Sequence, residues 1–185
     1  TRTTLYVPPH PPYAVSGSGA IVTDQLGHEV LDMNNNYTAL VHGHAYAPIV
    51  EAVSAQLALG TAFGLPTETE VVLAETLATR TGLPKWRFNN SGTEAVMTAL
   101  RGARAFTGRD TIVRFAGSYH GVHETVVDPA AAGVPANTRE ISIALPQGDR
   151  AAFDEVFAAR GSDIAAVLVD LMPNRAGLVP ADADF

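Results

Sequence analysis

The sequence predicts an α/β fold with a largely parallel sheet, its strands joined by helical crossovers. Three observations carry that expectation. From Pro48 onward, helical apolar faces alternate with short strand-like runs. Residues 164–171 form a near-continuous apolar run, as expected of a strand buried on both faces. Glycines stand just past the helical segments, at Gly82, Gly108 and Gly161, where a chain leaves a helix.

In chain order, residues 1–19 read as an arm. Val7-Pro8-Pro9-His10-Pro11-Pro12 favours polyproline geometry, and Ser16-Gly17-Ser18-Gly19 reads as a turn. Residues 20–23 and 29–33 are strands of a hairpin around Asp24-Gln25-Leu26-Gly27, and Asn34-Asn35-Asn36 breaks the pattern as a loop. Ile49, Val50, Val53, Leu57 and Leu59 share one helical face that ends near Gly60. Thr67-Glu68-Thr69-Glu70 is a capping box, opening a helix that runs to about Thr81. A short strand at 86–88 precedes a helix from Thr93 to Thr107. Strands at 111–115 and 139–144, a helix at 149–160 and the 164–171 strand complete the alternation. Pro180-Ala181-Asp182-Ala183-Asp184 has the look of a helix start, so the chain is expected to be the front part of something longer.

Composition removes whole classes of function. Twelve basic residues stand against 19 acids for a net charge of -7, and Lys85 is the only lysine. No basic run exists to bind nucleic acid or an anionic membrane. Hydrophobics at 46% and charged residues at 17% describe a chain that buries a core rather than a disordered one. Zero cysteines exclude disulfides, thiolate metal sites and cysteine nucleophiles. No apolar stretch approaches the roughly 20 residues of a membrane span. The expectation is a soluble, cytoplasmic protein.

The sharpest motif is Phe88-Asn89-Asn90-Ser91-Gly92-Thr93-Glu94-Ala95. A strand delivers the chain into a polar turn and a helix starts at once, so free amides and the positive helix end face the strand's carboxyl edge. Gly92 permits close backbone approach, and the Ser91 and Thr93 hydroxyls add donors. That is a phosphate cradle without a Walker lysine. Ser91-x-x-Glu94 is equally a capping box, and on this segment alone the two readings stand level. Gly117-Ser118-Tyr119-His120-Gly121 follows the 111–115 strand, on the edge where ligands of open α/β sheets sit. An aromatic there could stack on a planar ring; taken alone, a packed loop explains it as well.

Together these segments resemble a known family. Asn90-Ser91-Gly92-Thr93-Glu94-Ala95, then Ala99, Arg101, Ala103, Arg104, Thr107-Gly108-Arg109 and Tyr119-His120-Gly121 are similar to the class III aminotransferases, fold-type I enzymes dependent on pyridoxal 5'-phosphate. The nearest branch is that of glutamate-1-semialdehyde aminomutases and β-amino-acid transaminases. Gly43-His44-Ala45, Gly64-Leu65-Pro66-Thr67-Glu68-Thr69-Glu70 and Ala165-Ala166-Val167-Leu168-Val169 extend the resemblance over nearly the whole chain from Gly19 on.

The resemblance implies an arm and small-domain segment over 1–63 and the first half of the cofactor-binding large domain over 64–185. Ser91, Gly92 and Thr93 would bind the cofactor phosphate, Tyr119 would stack on its ring, His120 would line the pocket and Asn174 would border it. Asn36, Tyr37 and Tyr46 are the substrate-pocket candidates, with Tyr46 standing where the family often has a histidine. Asp170-Leu171 departs from the family's usual Glu-Pro. The catalytic lysine and the aspartate that pairs with the pyridine nitrogen would lie beyond Phe185, so no catalytic residue is assigned here. Lys85, at the wrong end of its strand, is not promoted to that role.

The implied function is transfer of an amino group between a small-molecule donor and a keto acceptor by a homodimer. An aminomutase is the alternative within the family. A noncatalytic cofactor-binding or interaction module, or one piece of a split enzyme, is the alternative of another class. His42-x-His44 and His120-x-x-His123 invite a metal, but no acid is spaced to complete a familiar motif, so no metal is expected.

Overall fold

The structure is a computed structural model that describes residues 12–128 and 130–185. Of the arm expected over 1–19, residues 1–11 lie outside the described residues, and Ala14–Ser18 form a strand instead. Two compact units divide the chain between Thr76 and Leu77.

The first unit is built on a three-stranded antiparallel sheet, β1 (Ala14–Ser18), β2 (Ile21–Asp24) and β3 (Glu29–Leu31), in the order β1-β2-β3. The hairpin between β2 and β3 stands where the sequence put it. Ser16-Gly17-Ser18 is not a turn but part of β1, paired along β2 from Ala14↔Asp24 to Ser18↔Ile21. The turn lies at Gly19, whose φ of 56° is left-handed. After β3 the expected loop forms a single turn, α1 (Asn35–Thr38), with positive φ at all four residues. Asparagine tolerates that region far better than most residues, which is why the Asn run sits there. α2 (Ala47–Leu57) and α3 (Glu68–Thr81) follow, and the Thr67 capping bond to Glu70 N is present at 3.3 Å.

Asp32, one residue past β3, is the polar hub of this unit. Its Oδ1 accepts from the amides of Asn34 and Asn35 at 3.0 and 2.8 Å, and its Oδ2 meets His44 Nε2 at 2.7 Å. The His44 main chain exchanges two hydrogen bonds with Gly19, of 2.9 and 2.8 Å. Gly17 lies against the imidazole so closely that a Cβ would fall 2.7 Å from His44 Cγ. The His44 hydrogen bond, then the Asn35 amide, hold the Asp32 carboxyl below its ordinary range. A carboxylate with a lowered folded pKa stabilises above its unfolded value of about 3.9, and that contribution is lost as pH falls through the lower folded value. Asp32→Asn is therefore expected to flatten the acid transition of this unit below about pH 4, followed by circular dichroism. An unchanged acid limb in the variant counts against the hub.

The second unit is a three-layer arrangement. α4 (Gly92–Thr107) precedes β4 (Thr111–Phe115), and a short α5 (Thr138–Ile141) leads into β5 (Ser142–Leu145). α6 (Arg150–Arg160) leads into β6 (Ile164–Leu168). The strands are parallel, as expected, in the order β5-β4-β6, but β6 is an edge strand buried fully only at Ile164 rather than on both faces throughout. β4 is buried along its whole length. Its alternate residues face opposite layers: Ile112 joins Leu100, Val126 and Val96 on the α4 side. Val113 and Phe115 join Leu145, Ile164, Phe153 and Phe157 on the α6 side. Burial of that kind is the main source of stability for the sheet.

Several expected boundaries move, each because a strand needs a partner. β5 begins at Ser142, not 139, since Ser142 is the first residue opposite β4, at Ile112. β6 ends at Leu168, opposite Arg114, because β4 turns away two residues later. Residues 86–88 are extended, yet no strand among the described residues pairs with them. Gly161 does not leave the helix left-handed; at φ -54° it opens a 3-10 turn, Gly161–Asp163. Residues 180–185 form no helix; the Asp182 side chain instead accepts from Asp184 N at 2.8 Å in a local bend.

Candidate functional site

The second unit brings both sequence motifs to the carboxyl edge of β4. Ser91 is the N-cap of α4, in extended geometry, and its Oγ accepts from Glu94 N at 3.2 Å. The Ser91 hydroxyl in turn donates to the Glu94 carboxylate at 3.3 Å, so the capping box is formed. Capping and cradle are not exclusive. The first intrahelical bond is Ala95 N to Ser91 O at 3.0 Å, which leaves the amides of Gly92 and Thr93 facing outward at the positive helix end. A Cβ at Gly92 would meet nothing within 4 Å, so the space above the turn is open to a ligand.

The Tyr119 loop docks on that turn through one tight contact. Val122 N donates to Thr93 Oγ1 at 3.3 Å. Gly121, at φ 102°, lies so near that a Cβ would fall 2.5 Å from Thr93 Oγ1 and 2.9 Å from Thr93 Cα. Thr93 Oγ1 accepts in this bond and keeps its own proton for a further acceptor. Ser91, Gly92, Thr93, Tyr119 and His120 are thus gathered into one region.

Beneath the loop a cavity of about 510 Å³ is lined by Arg114, Ser118, Tyr119, Asp128 and Arg175, among others. Tyr119 is half-exposed, and the Arg175 guanidinium carbon sits 4.1 Å from its ring centroid. Asn174 stands beside Arg175 on the 3-10 turn Asn174–Ala176, exposed, and it is the neighbour that lines the cavity. His120 is half-buried, and its Nε2 has no hydrogen-bond partner. Burial pushes the imidazole below its ordinary value, opposed by Asp170 and aided by Arg114, so the ring is neutral near pH 7.

Arg114 and Arg175 are the residues that sequence reasoning missed. Arg114 lies in a fully buried strand, with Nη2 donating to Val127 O and Nε without a partner. Burial lowers its pKa while Asp128 raises it. A charge inside an otherwise uncharged strand was the available signal. Arg175 had none beyond its place after β6.

Asn36, Tyr37 and Tyr46 belong to the first unit. Asn36 and Tyr37 sit in the left-handed turn, and Asn36 also lines a groove with Val22, Val30, Asp32 and His44. Tyr46 stacks on His42 at 4.7 Å between centroids. Lys85 is exposed. Among the described residues no cluster of three or more His, Cys, Asp or Glu could hold a metal, and no helix is long and apolar enough to cross a membrane.

Comparisons with known proteins bear on the family and the fold. The family described as Aminotransferase class-III matches residues 7–185. A glutamate-1-semialdehyde 2,1-aminomutase of Methanothermobacter thermautotrophicus is 40% identical over 96% of this chain and 44% of its own. Among solved structures, an omega-transaminase from Sphaerobacter thermophilus superposes with a TM-score of 0.92 at 44% identity, covering 98% of this chain and 46% of that one. A glutamate-1-semialdehyde aminomutase from Pseudomonas aeruginosa gives 0.84 at 30% identity, covering 97% and 42%. The chain spans less than half the length of each. The fold is that of the fold-type I pyridoxal 5'-phosphate enzymes. With a family match that reaches from the arm to Phe185, and relatives aligned over nearly all of it, the chain belongs to the class III aminotransferases.

Proposed function

We propose that this chain carries the cofactor-anchoring part of a pyridoxal 5'-phosphate-dependent aminotransferase. Such an enzyme moves an amino group between an amino acid or amine and a keto acid or aldehyde. The observation that carries the proposal is the junction of the α4 start with the Tyr119 loop through Gly121 and Thr93. The residues fit the group: an open helix N-terminus for a phosphate, an aromatic at the same edge for a planar ring, and a neutral histidine with an unpartnered nitrogen. When bound, the cofactor supplies an electron sink for a carbanion next to the amino carbon.

In this reading the Gly92 and Thr93 amides and the Ser91 and Thr93 hydroxyls hold the phosphate, and Tyr119 and His120 orient the ring. Asn174 borders it from the 3-10 turn. Asn36, Tyr37 and Tyr46, on the first unit, remain the substrate-contacting candidates, and Asp32 holds the turn of the first two through the amides of Asn34 and Asn35. A homodimer and a cytoplasmic setting belong to the same proposal. A second reading, an aminomutase that shifts the amino group within one molecule, is favoured by the name of a 40%-identical relative. Turnover of a single substrate without a separate acceptor would select it.

Glu94 supplies the test. Its carboxylate accepts the Ser91 hydroxyl's hydrogen bond and opposes an anion at the helix end. Glu94→Gln keeps the capping geometry and removes that charge. In the full-length protein it is expected to tighten cofactor binding about two- to fivefold, whereas Ser91→Ala weakens it and costs the helix about 1 kcal/mol. The cofactor dissociation constant, read from near-ultraviolet absorbance, decides. No tightening in Glu94→Gln places the phosphate elsewhere.

A further inference from the structure

The three substrate-side candidates stand on two segments of the first unit. Asn36 and Tyr37 sit on the turn after β3, and Tyr46 lies two residues past His44. The turn is held in an unfavourable conformation: Asn35, Asn36, Tyr37 and Thr38 are all left-handed, at φ 51°, 49°, 58° and 68°. Asparagine accepts that region, whereas a bulky tyrosine and a β-branched threonine enter it only where surrounding structure compels them. The turn's own main-chain bonds are long. Thr38 N reaches Asn34 O at 3.2 Å, Leu40 N reaches Asn35 O at 3.3 Å and Ala39 N reaches Asn36 O at 3.4 Å. Side chains hold it more closely. Asp32 Oδ1 accepts from the Asn34 and Asn35 amides at 3.0 and 2.8 Å, and Asn34 Oδ1 from Tyr37 N at 2.7 Å.

His44 is the fixed end of the same carboxylate. Its main chain is bonded in both directions to Gly19, and its ring lies against Gly17 with no room for a Cβ. Beside it, a Cβ on Gly43 would fall 2.6 Å from Gly19 O, so that backbone has no freedom to shift. His44 Nε2 meets Asp32 Oδ2 at 2.7 Å, with the two side chains only 25% and 15% exposed. One carboxylate thus ties a strained turn to a rigid segment. Asp32 also lines two grooves, of about 530 and 480 Å³, the first reaching Asn36 and His44 and the second His42 and Gly43.

We propose that Asp32 and His44 are positioning residues of the substrate site. The pair holds the left-handed turn against the His44 segment and so sets Asn36, Tyr37 and Tyr46 in one arrangement. Neither residue touches substrate in this role. The inference rests on the aminotransferase reading above and adds how its substrate side is held.

The test uses full-length protein loaded with pyridoxal 5'-phosphate and two readouts. Amide hydrogen exchange over residues 34–38 reads the tie itself. Its consequence is read as kcat/KM per cofactor-loaded site for β-phenylalanine, alanine or glutamate 1-semialdehyde, whichever wild type turns over fastest, with 2-oxoglutarate as acceptor for the first two. Asp32→Ala should speed exchange about 10- to 100-fold, as loss of hydrogen bonds to a charged group predicts. It should also lower kcat/KM at least about tenfold at unchanged cofactor content, the cost of a misplaced substrate contact. His44→Phe, which keeps a ring against Gly17 but offers no donor, should move both readouts the same way. Asp32→Asn keeps an oxygen for the turn amides and should restore most of both. Thr67→Ala, which removes the cap of α3 in the same unit, is the control and should leave both near wild type. Unchanged exchange in Asp32→Ala overturns the tie. Faster exchange with unchanged kcat/KM overturns the positioning role and leaves a structural one. A loss of kcat/KM in Thr67→Ala as large as in Asp32→Ala overturns it too, as general destabilisation. Should Asp32→Ala not fold, His44→Phe and Asp32→Asn carry the same two readouts. Wild type that turns over no donor sinks the aminotransferase reading instead, a distinguishable failure because exchange is read without a donor.

Discussion

Gly121→Ala is expected to disrupt the candidate site more than any other single methyl group. The added Cβ would stand 2.5 Å from Thr93 Oγ1 and 2.9 Å from Thr93 Cα, and the residue would be held at φ 102°. The hydroxyl can rotate away, but the Cα belongs to the first turn of α4 and cannot. Strain of that backbone region and the overpacking each cost roughly 1–3 kcal/mol, so a loss of about 2–5 kcal/mol is expected. Moving the loop off the helix start should also weaken cofactor binding by at least about tenfold, the equivalent of 1.4 kcal/mol. Gly133→Ala is the control: its φ is 86°, yet a Cβ there meets nothing within 4 Å. Urea unfolding of both variants separates backbone strain from the Thr93 contact. Equal losses in the two would remove Gly121 as the hinge of the site.

Phe115→Ala is expected to cost about 3–5 kcal/mol, a large share of the roughly 5–15 kcal/mol that holds a domain together. The side chain is 1% exposed and packs against Val113, Leu145 and Ile164. Its ring stands 6.5 Å from Phe153 and, edge-on, 5.3 Å from Phe185. Truncation leaves a cavity between the sheet and α6 that a buried strand cannot close by shifting. Phe115→Leu, which keeps most of the volume, should lose clearly less. The check is the denaturation midpoint at constant slope. A loss under about 1 kcal/mol for the alanine variant would show that this face is not the core of the unit.

Much of the second unit could be read in advance because its signals are local. Ser91 and Gly108 bound α4 as N-cap and left-handed C-cap, and Thr111–Phe115 forms the strand drawn over those residues. The phosphate-turn reading of Ser91-Gly92-Thr93 rested on the same local chemistry. β1 escaped because Gly17 and Ser18 carry no strand signal; their conformation comes from pairing with β2 and from the His44 ring. The boundaries of β5 and β6 followed the reach of β4 rather than their own side chains. Arg114 and Arg175 were invisible for a related reason. A guanidinium's role depends on what stands within a few ångströms of it, and those neighbours are 13 and 56 positions away in the chain, at Val127 and Tyr119.

The amino-acid sequence by itself determined the class of the chain: an acidic α/β protein with a helix-start cradle, a Tyr-His-Gly loop and a lone lysine. Caps, glycine stops and apolar periodicity act over a few residues, so they survive being read one segment at a time. Tertiary structure alone decided that Gly121 rests on Thr93, that a buried arginine in β4 donates to Val127 O, and that the Arg175 guanidinium lies over the Tyr119 ring. Packing distance and burial are properties of residues remote in sequence and close in space, and they turn a list of polar side chains into a site.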